Sequence, residues 1–348
     1  MKPLNLCAVF FLILLSACKK DPPPTVAPTS KGVYISNEGN FTFGNAEISF
    51  YDPVKQQVTN NLFKSVNGYS LGDVAQSIYI KDSTGFIVVN NSQKIEMVRI
   101  PSFQKIRTIN IPNSSPRYIM AVNDSIAYVT ELYAGKVYVV NYQTGNVVKT
   151  IGQMAAWTEH MVLLNNTIVV EERNLDAHPS TTCTLATINT ANNTFSQRYT
   201  FSGANVNGIV KDKQSHIWLA VSSDSANTVH PAIYCLNTDM SINKSLNYSS
   251  GHNPTNLCIN GTGDELYFFD TDIERILIGD TVVPSNAFIA NGGRNLYGLA
   301  VDPVTGDVYT SDALDYQQNS QIYRYDHNAI LIQSFKAGVI SGNFAFNY

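Results

Sequence analysis

Seven short apolar segments return along the chain every 40 to 53 residues: VYISN (33–37), FIVVN (86–90), AYVTE (127–131), TIVVE (167–171), IWLAV (217–221), LYFFD (266–270) and VYTSD (308–312). A period of that length points to one small supersecondary unit that cannot bury its own faces and is repeated until it can. The segments follow tight polar turns such as KDSTG (81–85), NDS (123–125), GTGDE (261–265) and DPVTGD (302–307). Before six of those turns lies another apolar strand (QSIYI, RYIMAV, HMVLL, NGIV, TNLCI, YGLAV), so each pair reads as a hairpin. A third strand comes after a longer loop (EISFYD, KIEMVRI, KVYVVN, CTLATIN, AIYCLN, RILIG, QIYRYD), and a weaker fourth often follows (VVKTI, TFSQRYTF, ILIQSF).

Four antiparallel strands per repeat is the blade of a β-propeller, in which each small sheet covers its faces with its neighbours around a central axis. The fold predicted is all-β: a seven-bladed β-propeller of four-stranded antiparallel blades. The first copy has no inner strand before it, whereas GNFAFNY (342–348) at the other end has strand composition and nothing else to pair with. It is expected beside Val33–Asn37, closing the ring and covering both edges. A β-sandwich or two stacked β domains would leave seven regular units and a leftover strand unexplained, and helical periodicity is nearly absent.

The propeller is expected to occupy 31–348. Lys2 precedes an apolar run from Leu6 to Leu15, followed by Leu15-Ser16-Ala17-Cys18, so 1–17 reads as a secretory signal peptide of the lipobox kind, with Cys18 the lipidated residue. The run is too short to span a bilayer as a mature helix. Residues 18–30, with KKDPPPTVAPTS at 19–30, read as a stiff proline-rich tether. This predicts an outer-membrane lipoprotein, on the cell surface or the periplasmic face, that meets the membrane only through its anchor. A net charge of -4 with 14% charged residues argues against a nucleic-acid partner and for a small or neutral one; the chain is expected to be a monomer. Cys183, Cys235 and Cys258 are an odd set without metal-type spacing, and an oxidising compartment would allow one disulfide among them.

Propeller geometry sorts the loops. If the strands of a blade are A to D, the end of B, the B–C loop and the start of A share one face. The long loops 37–46, 171–182, 221–232 and 312–321 and the connection 63–77 all fall there, where binding usually sits, while the turns DPVK, QTGN, NTANN and DHNA of the other face are short. Aligning the B strands puts Asn37, Asn90, Glu131, Glu171, Val221, Asp270 and Asp312 at one position. The loop and the A-strand starts add Glu38, Asn40, Arg117, Trp157, Glu159, His160, Asn205, Asn207, Asn256, Arg294, Asn295 and Tyr297. Any one of these has an ordinary role in satisfying backbone groups or in an ion pair such as Arg117 with Glu131. As a set facing one mouth, with aromatics among them, they read as a ligand surface.

Motifs for catalysis are missing: no G-x-S-x-G elbow, H-E-x-x-H, paired CxxC or phosphate loop, and no catalytic residue is assigned. His160, His178, His216, His230, His252 and His327 are scattered among different units. No cofactor is assigned, although converging carboxylates and amides are the hard oxygen ligands that an axial calcium ion prefers. The lipobox with KKD, the first-blade motif GVYISNEGN with ISFYDP, and blades such as VYVVNYQTGNVVKTI resemble the YncE-like propeller lipoproteins of Bacteroidetes, the group that includes the BtuG-type surface cobalamin-binding proteins. The resemblance implies a ligand held on the loop-bearing face, with Asn37, Glu38 and Asn40 contributing, and passed to an outer-membrane transporter. The first reading is thus a lipid-anchored, non-catalytic propeller that captures a small molecule, of which a corrinoid such as vitamin B12 is the specific version. The alternatives are a metal-dependent hydrolase of the lactonase kind using Glu171, Asp270 and Asp312, and a protein-interaction platform.

Overall fold

In a computed structural model whose described residues are 28, 31–173 and 180–348, the strands form seven separate antiparallel sheets. The signal peptide and Cys18 lie outside the described residues, as do the tether except Pro28, His178 and the middle of the loop 171–182. Six sheets have four strands and the sixth blade has three, its strands ending at Leu277. There residues 278–295 replace an outer strand and return only a single bridge, between Ile273 and Ile289. Pro284 and the Gly279–Asp280 turn break that stretch.

The second strand of each blade is the best buried element. Val33–Asn37, Phe86–Val89 and Ile217–Val221 have no exposed residue, because both of their faces are covered by adjoining blades. Apolar side chains gather into seven clusters among the described residues, one per seam between neighbouring blades. Tyr34, Ile48 and Phe50 meet Ile78, Ile87 and Val98 at the first seam, and Trp218 and Ile233 meet Leu266 and Phe268 at the fifth. Each such side chain contributes about 1.5–3 kcal/mol relative to exposure.

The C-terminal strand, Ser341–Asn347, is the inner strand of the first blade, paired antiparallel with Gly32–Asn37 in the register Val33 with Phe346 and Ile35 with Phe344. Asn37 locks the junction. Its Nδ2 donates to Ser49 Oγ at 2.9 Å, and its Oδ1 accepts from Gly338 N at 3.0 Å and Ser341 Oγ at 2.6 Å.

The connection 63–77 differs from the expectation of a plain loop, because Leu62–Asn67 is a short helix. Left-handed residues bound it, Asn61 at φ 57° and Gly68 at φ 79°, and it buries Leu62 and Phe63 in the first seam. Fewer than two turns are too short to leave a helical period in the sequence. Cys183, Cys235 and Cys258 are all free thiols.

Phe344 packs at the seam of the seventh and first blades. Phe344→Ala should lower the unfolding free energy by about 3–5 kcal/mol in denaturant titrations, and a chain ending at Ile340 should lose its cooperative transition altogether.

Candidate functional site

The ladder between inner and second strands slips in every blade. In the third, Pro116 faces Glu131 but Ile119 faces Val129, which leaves Arg117 and Tyr118 opposite one residue. The fourth does the same with Glu159 and His160, the fifth with Asn207 and Gly208, the sixth with Asn256 and Leu257, the seventh with Tyr297 and Gly298. A single extra residue, Gln76 or Gly342, does it in the second and first. A β-bulge of this kind bends its strand and re-aims the side chains that have lost their partners. Here it aims them inward: the bulge residues other than Gly208 and Gly298, with Glu38 and Arg173, line a cavity of about 290 Å³ where the inner strands of all seven blades converge. Gly298 is required by the closeness of that convergence, since a Cβ on it would sit 2.7 Å from the Gly342 carbonyl oxygen.

Two ion-pair groups dominate the electrostatics. Arg117 donates to Glu159 from Nε and Nη2, both at 2.7 Å, and also reaches Gln76 Oε1. The Trp157 indole N–H donates to the same Glu159 oxygen. Glu171, fully buried, accepts from Arg173 Nε at 2.7 Å and meets His160 Nδ1 at 2.9 Å. Burial alone would raise the Glu171 carboxyl, yet Arg173 and His160 hold it below the ordinary carboxylate range. Both guanidinium groups lie against the Trp157 ring, at 5.7 and 5.3 Å from its centroid, and the two groups so become one network. Glu38 is different. Among the described residues its one side-chain hydrogen bond comes from the Tyr297 hydroxyl at 2.9 Å, and burial pushes its carboxyl up to about 7 against the smaller opposing pulls of Tyr297 and Arg117.

Of the residues singled out in the sequence, Glu38, Arg117, Glu159, His160, Asn207, Asn256 and Tyr297 line the cavity, and Trp157 and Glu171 lie directly behind it. The rest do other work. Asn37 is the closing lock already described, Asn40 donates to the Tyr316 carbonyl at 2.7 Å, and Asn90 donates to the Pro116 carbonyl at 2.9 Å. Glu131 accepts Ser115 N, Asp270 accepts Asn253 N and Asp312 accepts Asn295 N, each steadying the connection into the inner strand of its own blade. In the fourth blade that cap falls to Glu172, which accepts Ala155 N at 2.6 Å. Glu171 is thereby one residue out of line with Glu131 and Asp312, and turns to the network instead. Arg117 pairs with Glu159, not with Glu131. Gln76, Tyr118, Arg173 and Asn343 also line the cavity without having been picked out in the sequence.

Glu171, Asp270 and Asp312 do not gather. Among the described residues one trio of His, Cys, Asp or Glu has its ligand atoms mutually within 4.8 Å, and it is Asp212, His216 and Cys235, in the fifth blade.

A family model described as a domain of unknown function, DUF5074, matches residues 31–339. Among solved structures, the chain is similar to a quinonprotein alcohol dehydrogenase-like protein from Bacteroides thetaiotaomicron, with 14% identity, 91% of this chain and 78% of that one covered, and a TM-score of 0.69. It is also similar to a functionally unknown protein from Desulfotomaculum acetoxidans (11% identity, 92% and 99% covered, TM-score 0.69). A third likeness is to virginiamycin B lyase from Staphylococcus aureus (15% identity, 75% and 83% covered, TM-score 0.56). At these identities the likeness is one of fold. No curated protein matches the sequence.

Two measurements test the electrostatics. Arg117→Met should cost about 3–5 kcal/mol of stability because it leaves Glu159 buried without a cation, and Arg117→Met with Glu159→Leu should recover most of it. For Glu38, the folded chain holds the proton more tightly than the unfolded chain, so that stability is present at low pH and is lost as pH rises from about 4.5 to about 7. Glu38→Gln should therefore gain on the wild type across that interval in paired melts, and a constant difference between them would place the carboxyl's titration elsewhere.

Proposed function

We propose that this chain, which belongs to the DUF5074 family, is a non-catalytic binding propeller that holds a small molecule at the mouth where its inner strands converge. The observation that carries the reading is the wall of that cavity. Its two guanidinium groups and the carboxylates Glu159 and Glu171 are already matched with one another, and the amides of Asn207, Asn256 and Asn343 are spaced around it. Such a site is built to hydrogen-bond and orient. Four aromatic side chains stand exposed on loops of the same face, Phe41, Phe43, Tyr133 and Tyr316, and the Tyr316 ring meets Tyr297 at 5.9 Å between centroids. A ligand with a polar end for the cavity and a flat or apolar body for the rim would use both features.

A corrinoid is the specific ligand we put forward, from the resemblance to BtuG-type lipoproteins. Its macrocycle is larger than a cavity of about 290 Å³, so it would lie across the aromatic rim with an amide arm in the mouth. In the same reading Cys18 carries a lipid, the proline-rich tether holds the propeller off the outer membrane, and the cargo passes to a transporter in that membrane. Hydrolysis through Glu171, Asp270 and Asp312 has less support, because each of the three already accepts hydrogen bonds and they stand apart.

Isothermal titration of the purified protein with cyanocobalamin and cobinamide tests the proposal, with Glu38→Ala and Trp157→Ala run alongside. Saturable heat, weakened at least tenfold by either substitution, is the expected result. Heat from neither compound would remove the corrinoid, and binding that both variants retain unchanged would remove the cavity as the site.

A further inference from the structure

Asp212, His216 and Cys235 bring a carboxylate oxygen, an imidazole nitrogen and a thiol sulfur within 4.8 Å of one another, at the end of the fifth blade opposite the long loops. The local fold explains how they meet. Asp212 follows the inner strand Val206–Lys211, and its Oδ1 accepts the N–H groups of Gln214 at 2.8 Å and His216 at 2.9 Å. That turn returns the His216 ring to Asp212, with Nδ1 at 3.3 Å from Oδ2. Cys235 comes from the third strand, opposite Trp218 in the register, and the Trp218 indole donates to the same Asp212 oxygen at 2.8 Å.

Turn capping accounts for only part of this arrangement. Asn123, Asn260 and Asp302 cap the corresponding turns of the third, sixth and seventh blades through backbone N–H groups. Among the described residues, none of those turns has such a trio around it. The cap explains Asp212 and leaves the histidine and the cysteine unexplained. A nucleophilic Cys–His–Asp centre does not fit, because Cys235 is 1% exposed and offers its sulfur to no substrate. An ion is small enough to arrive from the side of His216, whose side chain is 24% exposed.

We propose that Asp212, His216 and Cys235 bind a thiophilic transition-metal ion of the Zn²⁺ class, with water completing the coordination beside His216. One sulfur, one imidazole and one carboxylate are zinc ligands, whereas calcium takes oxygen alone. Bonds of roughly 2.0–2.3 Å place neighbouring ligands about 3.3–3.8 Å apart; the His216 and Asp212 atoms, at 3.3 Å, are already at that spacing, and no pair in the trio is more than 4.8 Å apart. The thiol releases its proton to solvent on binding, and thiolate and carboxylate together balance the dication. The Trp218 N–H supports the carboxylate from behind. Lys244, over the Trp218 ring at 5.6 Å, is held by the carbonyls of Ile278 and Asp280, so its ammonium is already engaged.

Co²⁺ is the probe, because a thiolate bound to it gives a charge-transfer absorption in the near ultraviolet. Titrating the reduced, purified protein should produce that band with one equivalent, and Zn²⁺ should abolish it. Cys235→Ser should lack the band and Cys183→Ser should keep it. His216→Ala changes a partly exposed side chain and leaves the core intact, so it tests the site apart from folding; it should weaken Co²⁺ binding at least tenfold. No band in the wild type, a band that persists in Cys235→Ser, or unchanged affinity in His216→Ala would overturn the proposal.

Discussion

The pairing of Ser341–Asn347 with Gly32–Asn37 is the contact on which the other six seams depend. Those six join blades that follow one another in sequence, and each closes a modest loop. The seventh seam brings together Val33, Ile35 and Tyr51 with Tyr309, Ile322 and Phe335, and it exists only when the last strand has entered the first blade. The entropy of that closure rises only slowly with chain length, so the long separation is tolerable if the seam is well made. It is reinforced where it has to be: Asn37 ties Gly338, Ser341 and Ser49, and the Tyr348 hydroxyl reaches Asp302 in the seventh blade. Without this strand the second strand of the first blade would present a bare apolar edge.

Closure also makes the bulges useful. A bulge in one hairpin is a local irregularity; seven of them, at one height around a closed ring, become the wall of a cavity. Their backbones are fixed by bonds that run from blade to blade. Ser77 donates to the Arg117 carbonyl, Asn256 to the Tyr297 carbonyl and Ser311 to the Ser341 carbonyl, and Asn343 accepts Ile78 N. These links leave the side chains of Arg117, Tyr118 and Tyr297 facing inward on a rigid frame. Preorganisation of that kind reduces the ordering cost of holding a ligand.

How far this could be read in the sequence follows from the same geometry. Apolar runs with turns between them reveal hairpins, their number reveals the blades, and an orphan strand at one end reveals the closure, because each rests on burial that the residue types announce. The bulges are harder to see. A strand shows itself by alternation, and a bulge breaks the alternation just where the cavity begins, so Gln76 and Tyr118 could not be assigned to the axis by counting. Aligning the B strands found the right height, but it could not tell a cap from a cavity wall. Glu131 and Asp312 look equivalent to Glu171, yet the structural equivalent in the fourth blade is Glu172. The short helix and the missing outer strand of the sixth blade escaped for a simpler reason: both are decided by packing and by a broken ladder, with no period of their own.

The carboxylates around the mouth divide into three kinds, and the division bears on what the site can recognise. Glu131 and Asp312 are committed to backbone N–H groups, Asp270 to a backbone N–H and the His252 ring, and Glu159 and Glu171 to cations, while Glu172 does both, capping Ala155 N and pairing with Arg198. Glu38 is tied by a neutral hydroxyl, with no ion-pair partner among the described residues, and its proton is held up to about 7. When Glu38 is protonated and His160 neutral, the two arginines and two glutamates of the network cancel. The cavity is then polar without net charge, and recognition there has to come from shape and hydrogen-bond geometry more than from long-range attraction. The apolar part of the work falls to the rim, where Phe41 and Phe43 are 66% and 77% exposed on a loop pinned by Asn40, Asn45 and Asp73. Aromatic side chains have few rotatable bonds, and on a backbone already fixed they lose little further freedom on contact, which is the condition under which exposed apolar surface favours association most.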